Sequence, residues 1–142
     1  MGTIRLSGTL QFLKARLNKI AKANLDFRLE LDEGEVEVGG VIRARAIVHA
    51  PEGTDRTLTC VRIDLRGQVQ RQGRWEEFEQ QAETAQGIAL PGGHEYVIPI
   101  VIKIPNEAVL SEDGGNWRLR AQAVVDRTID PRDEVVVVVI DA

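Results

Sequence analysis

The chain has one cysteine, Cys60, and two histidines, His49 and His94, in 142 residues. A single cysteine excludes an internal disulfide and suits a reducing compartment. One cysteine and two scattered histidines do not make a zinc site. Long apolar runs are missing too. The longest is the six residues Val135 to Ile140, far short of the ~20 that a membrane-spanning helix needs. The N-terminal segment has an apolar stripe, not a continuous apolar stretch, so no secretory signal is expected and the cytoplasm is the default location. Internal repeats and low-complexity tracts are absent. So are phosphate-cradling glycine loops of the strand–loop–helix kind: Pro91-Gly92-Gly93 and Glu112-Asp113-Gly114-Gly115 read as turns.

One further absence is local. Residues 1–25 contain Arg5, Lys14, Arg16, Lys19 and Lys22 but no Asp or Glu. The remainder holds 13 of the 18 Lys and Arg against all 22 Asp and Glu. A segment of charge +5 therefore precedes a body of charge −9. An acidic body argues against nucleic acid as a partner, because phosphate binding needs a positive footprint.

Apolar spacing changes where the charge does. Leu10, Leu13, Leu17, Ile20 and Ala21 fall on one stripe, which predicts a helix over residues 10–23. Ser7 or Thr9 can cap it, Lys19 and Lys22 suit its last turn, and Asn24 suits its stop. Fourteen residues make a helix of about 21 Å, marginal alone in water. Its stripe requires a cover, for which three candidates remain: the rest of the chain, an anionic membrane surface, or another protein chain. Phe12 lies off the stripe beside Arg16 and Lys19 and suggests a second contact.

From Leu25 onward the period is two. Leu25, Phe27, Leu29 and Leu31 alternate with charged residues, and Val61, Ile63, Leu65 and Val69 alternate with Arg62, Asp64, Arg66 and Gln70. Gln72-Gly73 reads as a tight turn into a polar edge strand over Trp75–Ala82. Tyr96, Ile98, Ile100, Ile102 and Ile104 share a face, and Pro99 among them marks an edge or a bulge. Trp117, Leu119, Ala121, Ala123 and Val125 form another inward face. Val135–Ile140 is apolar on both faces and belongs inside a sheet. About seven strands and no second helix predict an all-β, immunoglobulin-like sandwich. The organisation expected is a helical extension, 1–24, before one β-domain, 25–142.

The stretch Glu33-Gly34-Glu35-Val36-Glu37-Val38-Gly39-Gly40-Val41-Ile42 resembles the opening motif of arrestin-like domains. Val61-Arg62-Ile63-Asp64-Leu65-Arg66-Gly67 resembles the strand that follows it in that family. Leu90-Pro91-Gly92-Gly93, followed by Tyr96, Pro99 and Ile104-Pro105, resembles a third segment, with Ile100 where an aromatic is usual. The bacterial sporulation-control group of arrestin-like proteins is nearest in pattern. The resemblance implies an arrestin-type sandwich and a non-enzymatic adaptor. Members of that group have two such sandwiches, and this chain has room for one. The phosphate-sensing polar core needs the second, so none of its residues is carried over.

No catalytic constellation stands out. Cys60 with a histidine is a conceivable nucleophile pair, but a small buried cysteine and two surface histidines are the simpler reading. Glu112, Asp113, Asp126, Asp130, Asp133 and Glu134 have calcium-type oxygens without ligand spacing, and turn-forming carboxylates explain them. No cofactor is expected. The candidate contact residues are Phe12, Lys14, Arg16 and Lys19 on the helix, and Trp75 and Phe78 on the polar edge. The last two are either binding anchors or a lid over the open end of the sandwich. The expected partner is a protein, with a homo-oligomer and weak contact with anionic membrane as further possibilities.

Overall fold

Alternation becomes strand wherever one face can be buried. The computed structural model describes residues 25–84, 87–126 and 130–142. The helix expected over 10–23 lies outside the described residues. Nine strands occur among those described: β1 (Asp26–Leu31), β2 (Glu35–Glu37), β3 (Val41–His49), β4 (Arg56–Arg71), β5 (Arg74–Glu83), β6 (Ile88–Leu90), β7 (Glu95–Lys103), β8 (Trp117–Val125) and β9 (Arg132–Ile140). The short strands β2 and β6 raise the count above the seven expected.

The strands form two sheets. The smaller has the order β1-β3-β7, antiparallel throughout. The larger has the order β2-β9-β8-β4-β5, with β6 also paired to the first residues of β4. β9 lies between β8 and the parallel strand β2, which pairs with Val138–Ile140. This places the two-sided apolar run inside a sheet and removes the hazard of an open edge. β7 is an edge strand, as its proline requires.

The inward faces bury Phe27 and Leu29 of β1, Ile42 and Val48 of β3, and Ile98, Ile100 and Ile102 of β7. Against them pack Val61, Ile63 and Leu65 of β4, Trp117 and Leu119 of β8, and Val135, Val137 and Val139 of β9. Removing such side chains from water drives the two sheets together. A buried carboxylate also ties them: Asp133 of β9 accepts the Leu29 N–H of β1 at 2.9 Å.

Two local devices shape β4 and β5. A register shift between Leu58 and Cys60 in the β4–β8 pairing moves burial from even to odd positions. A β-bulge does this by adding one residue to one strand. Gln72 and Gly73, with φ of 53° and 75°, join Arg71 to Arg74 as a two-residue hairpin. Positive φ at both positions is the type I′ turn, whose twist matches that of the strands.

Candidate interaction surface

β5 ends the larger sheet and, among the described strands, pairs only with β4. Its register on β4 sets Arg62 against Glu83, Asp64 against Gln81, Arg66 against Glu79, Gln68 against Glu77 and Gln70 against Trp75. These rungs share the outer face. Arg66 Nε donates to Asp64 at 2.8 Å and lies 2.8 Å from Glu79, Gln68 donates to Glu77 at 3.2 Å, and Arg62 lies 3.6 Å from Glu83. The hydrogen bond to Asp64, followed by the charges of Asp64 and Glu79, raises the pKa of Arg66. Arg62, Arg66, Glu79 and Glu83 are about half exposed, so solvent screens their pairs strongly.

The backbone alternation of β5 follows from the bonds that continue its ladder. Thr84 N–H donates to Val61 C=O at 3.1 Å, the next pair in the same register. On the far side of β4, Val109 N–H reaches Gln68 C=O and Gln70 N–H reaches Glu107 C=O. In an antiparallel pair, successive residues point their backbone groups to opposite sides. Even-numbered residues of β5 therefore bond to β4. Trp75, Glu77, Glu79, Gln81 and Glu83 direct N–H and C=O to the open edge. No described strand pairs there.

Trp75 and Phe78 lie on opposite faces of this strand. Phe78 faces inward, opposite Gly67, with its ring 5.8 Å from that of Trp117 and tilted by 48°. Trp117 is fully buried and donates from Nε1 to Val109 C=O at 2.8 Å. Its indole fills the space over Gly67, where a Cβ would come within 2.2 Å of the ring. Trp75 faces outward and is 51% exposed. The edge of its indole lies over Gly114, in the turn after the 3-10 segment Ser111–Asp113. Of the expected contact residues, the structure thus brings Phe78 to the core and leaves Trp75 at the surface. Phe12, Lys14, Arg16 and Lys19 lie outside the described residues.

The other edges differ from β5. The Ile104 N–H donates to Gly40 C=O at 2.9 Å, in line with the β3–β7 register. Even-numbered residues of β7 therefore bond to β3, and Pro99 presents its ring to the open edge, where an N–H would otherwise stand. A strip of exposed side chains, Val41, Val97, Pro99 and Val101, runs beside it on the outer face. Sequence reading left Pro99 at an edge or a bulge, and the structure shows the edge. The same reading missed this strip, because the valines alternate with the isoleucines of the inner face. The β1 edge is engaged by Asp133, and β2 has three residues.

The remaining candidates for chemistry are spread over the sandwich. Cys60 is buried and free of any disulfide, and no hydrogen bond joins it to His49 or His94 among the described residues. Asp126 accepts the Thr57 N–H at 2.6 Å and Asp130 the Val125 N–H at 3.1 Å. Glu134 lies 3.6 Å from Arg118 and 3.7 Å from Arg120. Among the described residues, no group of three or more His, Cys, Asp or Glu is gathered to hold a metal ion. No helix among them is long and apolar enough to cross a membrane.

Two open sheets packed in this order define an arrestin-like β-sandwich. Among solved structures, the chain is similar to that of Spo0M, a sporulation control protein from Bacillus subtilis. The TM-score is 0.67 at 10% sequence identity, over 84% of this chain and 50% of that one. The chain thus spans half the length of that protein, and the likeness establishes the fold. By sequence, neither a protein-family model nor a curated protein matches the chain.

Proposed function

We propose that the protein is a small, non-catalytic cytoplasmic adaptor that binds another polypeptide along the β5 edge. The observation that carries this reading is the edge itself: ten residues long, free of proline, with five residues whose outward backbone groups meet no described strand, beside a half-exposed indole. An added strand gains affinity from main-chain hydrogen bonds and specificity from alternate side chains. In this arrangement Phe78 anchors β5 to the core while Trp75 meets the partner. The arrestin-like fold supports the reading by analogy only, since one fold hosts many functions.

The test is a photoreactive residue at the edge, Gln81→p-benzoylphenylalanine, compared in cells with Glu52→p-benzoylphenylalanine in the distant 51–55 loop. The edge probe is expected to give a discrete protein adduct and the loop probe none. Adducts from neither position, or equally from both, would sink the assignment.

A second reading draws on the charge division of the chain. A leucine-striped segment with five cations and no acid suits an anionic membrane interface, with Phe12 and the leucines buried and Lys14, Arg16 and Lys19 among the headgroups. The same segment could instead dock on the acidic body of another copy and give a salt-sensitive homo-oligomer. Flotation with anionic liposomes separates these from the adaptor reading, because only membrane anchoring brings the protein up with lipid.

A further inference from the structure

We infer that the β5 edge takes an extended basic segment of a partner protein as an added strand, with cations opposite Glu77, Glu79 and Glu83. The inference rests on the adaptor reading and adds the partner's chemistry and its mode of attachment.

The first support is the order of side chains along the edge. The five residues that offer backbone groups outward also carry the outer-face side chains. They are Trp75, Glu77, Glu79, Gln81 and Glu83: three carboxylates, an indole and an amide, with the cations Arg66 and Arg62 set behind Glu79 and Glu83 on β4 and none on the edge itself. A strand hydrogen-bonded to these residues sets its own alternate side chains directly opposite them, where opposite charges attract and like charges repel. Lys or Arg at every second position matches the row. An Arg near Trp75 can also stack on the exposed indole. The other alternate positions meet the inner row, Glu76, Phe78, Gln80 and Ala82, where Phe78 and Ala82 favour small apolar partners.

The second support is that a second copy does not fit. Antiparallel pairing of β5 with itself, centred within one residue of Glu79, sets Glu79 against Glu79, Glu77 against Glu79, or Glu77 against Glu83. Each register places carboxylate against carboxylate. An edge that repels itself yet keeps all its outward N–H groups is guarded by charge, whereas β7 is guarded by proline. Charge guarding leaves the edge open to a partner of opposite sign. The −9 charge of the body adds long-range attraction for such a partner.

The experiment uses the full chain and three synthetic dodecapeptides free of tryptophan. One alternates Lys with Thr and Val, the second has Glu in place of Lys, and the third is the basic peptide with alternate backbone amides N-methylated along one edge. Binding is read by Trp75 fluorescence and by calorimetry. The basic peptide should saturate, N-methylation should weaken it by at least about tenfold, and the acidic peptide should not bind. Two protein variants test the same edge. Glu79→Pro removes an outward N–H without touching the β4–β5 ladder, and Glu77→Lys with Glu79→Lys reverses the charge. Glu79→Pro should weaken the basic peptide, and the double change should transfer preference to the acidic one. Equal binding of the N-methylated and parent peptides would show charge adhesion without strand addition and overturn the inference. So would no binding of any peptide. If peptides fail but Gln81 still gives a discrete adduct in cells, the inference falls and the adaptor reading stands; if both fail, both fall.

Discussion

Gly67 shows how one residue fixes the middle of the larger sheet. It faces Phe78 across the β4–β5 ladder, and the Trp117 indole occupies the space a side chain would take. Gly67→Ala must displace a fully buried ring that is also held by its bond to Val109 C=O. Overpacking of this kind costs about 1–3 kcal/mol. Chemical denaturation should show a lower midpoint with an unchanged slope, and Phe78 should become more exposed; an unchanged midpoint would mean the ring moves freely. At this scale the sequence was legible for Trp117, which alternates with plainly apolar neighbours. It was not legible for Asp133, which reads as a turn carboxylate but is buried against β1. Nothing in a single sequence says which distant N–H a carboxylate will accept, here one 104 residues away.

Among the elements, strands were legible where one face is apolar and the other polar. The hairpin at Gln72-Gly73 and the edge positions of β5 and β7 follow from turn residues, polarity and Pro99. The start of β4 was less legible, because the bulge before Cys60 breaks the period. β2 was legible from Val36 and Val38 alternating with Glu35 and Glu37, whereas β6, three residues long, shows no period. Pro99 yields the prediction that belongs to this scale. It blocks an edge whose other residues are self-complementary: with two β7 strands antiparallel about position 99, Glu95 faces Lys103 and Val97 faces Val101. Pro99→Val restores the missing outward N–H and extends the valine strip. Sedimentation should then show a dimer that forms with rising concentration, against a parent that does not pair through this edge. A variant with the parent's sedimentation behaviour at every concentration would mean that the strip is covered by something other than a neighbouring β7.

At the scale of the whole molecule, the basic segment 1–24 and the acidic sandwich are two parts with different demands. Among the described residues the buried core runs from Leu25 to Val139, and a version lacking residues 1–24 is expected to fold. The comparison of that version with the full chain then distinguishes the three covers open to the leucine stripe. If the stripe packs on the sandwich, each leucine buried contributes about 1.5–3 kcal/mol. The shortened protein should then melt several degrees lower and bind more of a hydrophobic dye at the strip of Val41, Val97 and Val101. If the segment joins copies, the shortened protein keeps its melting temperature at low concentration and loses a salt-sensitive oligomer. If it anchors to membrane, only the full chain floats with anionic vesicles, and salt releases it. We expect the first result, because an amphipathic helix of this length is marginal without a partner and the sandwich is the partner always at hand. An unchanged melting temperature together with loss of flotation would overturn that expectation and move the site of action to the bilayer.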